Sequence, residues 1–250
     1  MKHLKNLKVD FDTDGFCVAK NLFQDGEILE LDKKLQEFLE NKSEILKGRD
    51  INRTPNNSIN TMHDIDKHEN YFSNFAKKEK IVSLSKLLLN SEPEFRKCEM
   101  FAKPAKVGMA SPMHQDNFLW AVKNNNGLTF WLALDNCNEF NGGLTYLKGS
   151  HKYGLLEHES SFAPGTSQKI IKRILKKIES QCEVITPKLN PGDVLIHHCL
   201  MVHGSGQNKS EKNRRGFTIQ FKDKKSIYDQ DLLDNYEKKL NQQMKMREQI

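Results

Sequence analysis

Apolar positions in the first third of the chain fall at helical spacing. Phe23 to Leu39 places Ile28, Leu31, Leu35, Phe38 and Leu39 along one stripe, which predicts an amphipathic helix packed on a core. Just before it, Asp14-Gly15 followed by Phe16-Cys17-Val18-Ala19 predicts a turn and a short strand. Residues Lys47 to Asn74 are polar, rich in Asn, His and Asp, and carry no sustained period. They read as a long loop that could serve as a lid. A second helix is expected over Lys77 to Leu89, stopped by Asn90 and Pro93.

After Pro93 the texture changes. Short apolar runs at Lys97 to Ala102, Phe118 to Val122, Gly127 to Leu134 and Leu144 to Leu147 are cut by Gly, Pro and Asn, the pattern of an all-β sandwich or barrel. Ser167 to Ile178 interrupts it, with Ile170, Ile171, Ile174, Leu175 and Ile178 opposite Lys169, Lys172, Arg173, Lys176 and Lys177. This basic amphipathic stretch is expected to be a helix packed on its own domain. Strands resume at Glu183 to Thr186, Asp193 to His198 and Gly216 to Phe221, and the charged tail from Gln230 reads as a helix and a candidate homodimer contact. The expected organisation is one domain over residues 1–250: a helical part at 20–92, a barrel at 93–222 and a helical tail at 226–250.

Composition narrows the class. With 37% hydrophobic and 29% charged residues, the 250-residue chain can bury a core beneath a solvated surface. No run approaches the roughly 18 apolar residues of a membrane span. Met1 to Lys8 leads straight into Asp10, Asp12 and Asp14 without the apolar stretch of a secretory signal. The five cysteines are scattered and form no Cys-x-x-Cys pair, so a reduced, cytoplasmic setting is expected. A net charge of +6 comes from lysines spread along the chain, which reads as a lysine-rich surface and not as a nucleic-acid footprint.

Candidate chemistry gathers at Met113-His114-Gln115-Asp116, where two metal ligands are separated by one residue in chain that reads as extended. On a strand, residues i and i+2 share a face. His-x-Asp is common by chance, but His203 offers a third ligand, at the end of a run that follows the turn Asn190-Pro191-Gly192-Asp193. Two histidines and one carboxylate leave open metal positions, as Fe(II) oxygenases require. Eleven residues after His203, Arg214 sits on a returning strand, and its guanidinium fork suits a carboxylate. Arg214 shares a face with Gly216, Thr218 and Gln220, whereas Arg215 shares one with Phe217, Ile219 and Phe221. The polar face should line the site, which selects Arg214.

Other histidines carry less. His197 shares a strand face with His203 if the strand stays regular, which would set it beside the site, while His63, His68, His151 and His158 lie in polar chain and are expected on the surface. Asp10-x-Asp12-x-Asp14-Gly15 copies the start of a calcium loop, but Asn21 stands where the bidentate Glu is needed. Asn141-Gly142-Gly143 reads as a turn, since no lysine-serine pair and helix follow it as in a phosphate loop.

Together with Asn141-Gly142-Gly143-Leu144, Gly149-Ser150-His151-Lys152, Pro191-Gly192-Asp193 and His203-Gly204-Ser205, these motifs resemble the phytanoyl-CoA dioxygenase family of Fe(II)/2-oxoglutarate oxygenases, from Asp14 to about Phe221. The resemblance implies an all-β core with flanking helices, a double-stranded β-helix or jelly roll. It implies iron on His114, Asp116 and His203, and the distal carboxylate of 2-oxoglutarate on Arg214, with further cosubstrate contacts at Ser205 and Trp131. Fe(II), 2-oxoglutarate and O2 would then hydroxylate a small-molecule substrate with release of succinate and CO2. The Asp116 carboxylate favours hydroxylation over halogenation, because related halogenases lack it. The competing expectation is a non-catalytic jelly roll that binds iron or 2-oxoglutarate as a sensor or scaffold. Substrate contacts are expected from Lys47 to Asn74, Asn117 to Asn126 and Leu155 to Gln168, and Lys103, Lys106 and Lys123 would suit an anionic substrate.

Overall fold

The computed structural model describes residues 2–46, 50–54, 56–161 and 167–247. The leader folds as helix α1 (Lys2–Asp14), so Asp10, Asp12 and Asp14 sit in helical chain and not in a calcium loop. Gly15, at φ +83°, turns the chain into β1 (Phe16–Ala19), a conformation that costs glycine little. The predicted stripe forms α2 (Asp25–Lys42) and buries Ile28, Leu31, Leu35 and Phe38.

The expected loop at Lys47 to Asn74 is largely structured. It holds β2 (Ile51–Arg53), β3 (Ile59–Met62), a 3-10 turn (Ile65–Lys67) and α3 (Asn70–Ala76), while residues 47–49 and 55 of that call lie outside the described residues. Strands this short, built from Asn, Thr and Arg, leave no readable period. Next come α4 (Glu79–Leu89), ended by Asn90 at φ +51°, and β4 (Pro93–Lys103). β5 (Ser111–His114) precedes a second departure: Phe118 to Val122 begins inside a short helix, α5 (Asp116–Trp120), and does not form a strand. Its apolar run is as dense as a strand's, but it packs in small local clusters against Cys199, Leu200 and His158.

The chain continues through β6 (Gly127–Ala133), β7 (Leu144–Leu147) and β8 (His158–Ser160). The basic stretch from Ser167 divides into β9 (Gln168–Ile170), paired with β8, and α6 (Lys172–Glu179). β10 (Val184–Ile185), β11 (Val194–His198), β12 (His203–Ser205) and β13 (Arg214–Asp223) complete the barrel, and α7 (Gln230–Arg247) forms the tail.

A seven-stranded sheet in the order β1-β11-β6-β13-β4-β3-β2 faces a four-stranded one in the order β10-β7-β12-β5, giving the jelly roll. The helical part at 20–92 therefore also contributes two strands, β2 and β3, to the large sheet, and β1 joins it from upstream. Alternation gives each face of that sheet its own job. Its outer face, with Phe130, Leu132, Phe217 and Ile219, joins Leu31, Leu35, Phe72, Phe75 and Ile81 of the helices in one core. Each such fully buried side chain contributes roughly 1.5–3 kcal/mol. Its inner face is polar where it looks across at the small sheet, with Thr129 opposite Gln220 and Thr218 opposite Glu99. All five cysteines are free, and among the described residues no helix is long and apolar enough to cross a membrane.

Candidate metal centre and cosubstrate pocket

His203 on β12 stands directly opposite His114 on β5, with their ring centroids 4.3 Å apart. β5 ends at His114, and Gln115 is extended at φ −122°, ψ 133° before Asp116 opens α5. The i, i+2 relation thus holds across one extended residue, although Asp116 itself is helical. His114, Asp116 and His203 offer ligand atoms within 4.8 Å of one another, the one such group of three found among the described residues.

Each ligand is held through the atom a metal would not use. The Nδ1 of His114 lies 2.9 Å from the Pro112 carbonyl, and that of His203 lies 2.9 Å from the Met201 carbonyl. A carbonyl only accepts, so both Nδ1 atoms are protonated and both Nε2 lone pairs face the centre. Asp116 Oδ1 lies 3.9 Å from His114 Nε2 and 3.7 Å from His203 Nε2. Its Oδ2 accepts from the Thr129 hydroxyl at 2.7 Å and from His197 Nε2 at 3.2 Å. His197 Nδ1 in turn accepts from the buried Tyr146 hydroxyl at 2.9 Å. Burial would raise the Asp116 carboxyl, but the His197 hydrogen bond and the surrounding imidazoles hold it well below the usual range. Burial, then the neighbouring imidazoles of His114 and His197, drives His203 well below its ordinary value, leaving a neutral ligand.

Gln115 ties down the turn between the ligands. Its side-chain amide donates to the carbonyls of Gly154 and Leu200 and accepts from Leu156 N–H. Its backbone N–H donates to His158 Nε2 at 3.1 Å, and that ring stacks on Phe118. His158 is therefore buried, against the surface expectation, and burial lowers it to about 4. His63, His68 and His151 are also no more than partly exposed. His63 reaches the buried Glu99 at 2.5 Å, and the chain folds back over these rings in ways their polar neighbours conceal.

Between the sheets lies a cavity of about 650 Å³, counting its open mouth, which the metal-facing residues share with Arg214, Ser205, Trp131 and Lys103. Arg214 and Arg215 diverge as alternation requires. Arg215 points outward and pairs with Asp135 at 2.9 Å and with Asp32 of α2. Arg214 is 1% exposed, its Nε has no partner, and its Nη1 reaches only the Phe101 carbonyl at 3.5 Å. Burial lowers it to about 10. Its guanidinium lies 5.3 Å from the Trp131 ring, which fits flat over β13 because residue 216 is glycine: a Cβ there would come within 2.0 Å of Trp131. Lys103, opposite Arg214 in register, donates to the Met109 and Gly206 carbonyls at 2.6 Å each and is lowered to about 6 by burial and by Arg214.

The donor set of two imidazole nitrogens and one carboxylate oxygen on one side fits a non-haem iron. The unmet guanidinium beside a lysine fits the carboxylate end of a cosubstrate. Lys106 is exposed and pairs with Glu211, and Lys123 is exposed, so neither lines the cavity. Sequence reasoning missed Thr129, Tyr146, Gln115 and His158 as supports. Only Gln115 and Thr129 left a trace there, as polar residues in the ligand motif and in an otherwise apolar strand.

The sequence profile of the phytanoyl-CoA dioxygenase family matches residues 11–216. A phytanoyl-CoA dioxygenase domain-containing protein 1 homolog of Caenorhabditis elegans is 26% identical, covering 88% of this chain and 91% of that protein. The ectoine dioxygenase of Sphingopyxis alaskensis is 21% identical over 79% of this chain and 69% of its own length. Among solved structures, EctD from S. alaskensis with 2-oxoglutarate and 5-hydroxyectoine superposes with a TM-score of 0.76, at 20% identity, over 90% of this chain and 77% of that one. The epimerase SnoN in complex with Fe3+, alpha ketoglutarate and nogalamycin RO gives 0.75, at 20% identity, over 91% and 86%.

Proposed function

The chain belongs to the phytanoyl-CoA dioxygenase family of iron- and 2-oxoglutarate-dependent dioxygenases, and from that premise we propose that it hydroxylates a small metabolite, with His114, Asp116 and His203 as iron ligands and Arg214 as the cosubstrate's anchor. The observation that carries this reading is the unpaired, buried Arg214 facing the same cavity as the three converging ligand atoms. Iron(II) bound with 2-oxoglutarate supplies the means to split dioxygen and oxidise a C–H bond, releasing succinate and CO2.

The chain's own groups do the rest. Thr129 and His197 occupy Asp116 Oδ2, so Oδ1 is the atom that would ligate, and ligation through one atom would leave positions open for cosubstrate and oxygen. Arg214, Ser205 and Trp131 line the cavity together: the guanidinium would hold the distal carboxylate, Ser205 would add a hydroxyl, and the Trp131 ring would wall that end from water. Of the three lysines expected to favour an anionic substrate, Lys103 stands at the cosubstrate end and the other two lie outside the cavity.

Succinate formation from 2-oxoglutarate and Fe(II) tests the reading, because such enzymes turn over slowly even without substrate. Complete absence of succinate across a substrate panel, with iron bound, would sink it in favour of a sensor or scaffold.

A further inference from the structure

Arg214 occupies only one end of the cavity. It pairs in register with Lys103, and four residues along the same two strands Thr218 pairs with Glu99. At about 3.4 Å per residue the two positions stand roughly 14 Å apart along the strands. The charge on the lining reverses over that distance, from the Arg214 guanidinium to the Glu99 carboxylate.

Glu99 is 4% exposed, yet it is kept as an anion. Burial alone would raise its carboxyl, but Lys97 and His63 hold it down at about 2. Both donate to Oε1, Lys97 at 2.7 Å and His63 at 2.5 Å. Oε2 receives only the neutral Gln220 amide, at 2.7 Å, and keeps room for a second donor. Neither Lys97 nor His63 lines the cavity, whereas Glu99 and Gln220 do, so the Lys97 ammonium and the His63 donor stand behind the carboxylate. Lys97 is further shared with Asp64 at 3.9 Å. On the same wall Asn60 gives its amide N–H to the Thr61 hydroxyl and keeps its carbonyl oxygen as a further acceptor. A buried carboxylate is expensive to maintain, and three donors are committed here to keep one ionised against an open cavity.

We propose that the Glu99 end of the cavity is the substrate subsite, and that it selects a small molecule carrying a cationic nitrogen group, an ammonium, amidinium or guanidinium, which pairs with Glu99. This rests on the assignment of the Arg214 end to 2-oxoglutarate. A carboxylate or an acyl-CoA thioester would bring negative charge or apolar chain against a desolvated anion, at a like-charge cost that selects against it.

The test uses the protein loaded with Fe(II) and 2-oxoglutarate. A panel of small ammonium, amidinium and guanidinium compounds is compared with matched compounds in which the nitrogen is replaced by carbon or carboxylate, and with butanoyl-CoA. Two readouts are followed: stimulation of succinate formation, and perturbation of the visible iron-to-2-oxoglutarate charge-transfer band without oxygen. At least one cationic compound should stimulate succinate formation tenfold and shift the band, and its matched partner should do neither. Glu99→Gln should raise that compound's KM at least tenfold with a smaller change in kcat. If that variant folds poorly, Asn60→Asp serves instead, and the added charge should lower the same KM. Stimulation confined to anionic or thioester compounds, silence of the whole cationic panel, or an unchanged KM in the variant overturns the proposal. A wild-type protein that forms no charge-transfer band and no uncoupled succinate fails earlier, at the cosubstrate assignment, and takes this inference down with it.

Discussion

The metal cradle and the Arg214 pocket lie in one cavity and treat their polar atoms in opposite ways. In the cradle, every atom turned away from the centre is already bonded: both Nδ1 atoms to backbone carbonyls, and Asp116 Oδ2 to Thr129 and His197. In the pocket, a wholly buried guanidinium has an unmet Nε and a single long contact. The cradle is organised before anything binds. The pocket holds a desolvated charge whose cost is offset only when an anion arrives.

The harshest way to break the comparison is Asp116→Ala, which should abolish both iron retention and succinate formation, as read by metal content and by product assay. Arg214→Met should leave iron in place and cost about 2–4 kcal/mol of 2-oxoglutarate binding, a rise in Kd of roughly 30- to 700-fold by calorimetry. It should also raise the melting temperature of the metal-free protein, because a buried unpaired charge is removed. A lower melting temperature would mean that the guanidinium is not strained in the empty pocket. Thr129→Val keeps the shape and removes one bond to Asp116 Oδ2. Loss of such a support costs about tenfold in metal affinity, which competition with a chelator would measure.

The remaining effect is on stability alone and concerns His158. Its folded value of about 4 lies below the ordinary 6.5, so between those pH values the unfolded chain binds the extra proton. Stability should therefore rise with pH across that window and fall as pH drops through it, by at most about 3 kcal/mol from this group. His158→Phe should flatten the denaturation profile between pH 4 and 6.5, and an unchanged slope would remove His158 from this role.

Legibility in the sequence followed distance along the chain. The pairing of His114 with Asp116 and the choice of Arg214 over Arg215 rested on strand alternation; the arginines diverge as that rule requires, whereas Asp116 reaches the side of His114 across one extended residue from the start of a helix. Thr129 and His197 meet at Asp116, and Tyr146 reaches His197, through strands β6, β11 and β7, and no local pattern states which strands will be neighbours. The β2–β3 hairpin stayed hidden because β3 has only four residues, and Ile59-Asn60-Thr61-Met62 sets two polar cavity-lining residues between two that pack on the core, which is not an alternating pattern. The helix at Asp116–Trp120 stayed hidden because five residues are too few to tell two periods apart.

The two adjacent arginines also bear on how the chain avoids misfolding. Were β13 to pair with its neighbours one residue out of step, Arg214 would enter the oily layer beneath the helices, while Phe217, Ile219 and Phe221 would be turned into the cavity. Arg215 would lose its bolt to Asp32 and Asp135 at the same moment. The alignment that buries the core is thus the same one that aims the guanidinium, so a slip of register would cost the core and the pocket together.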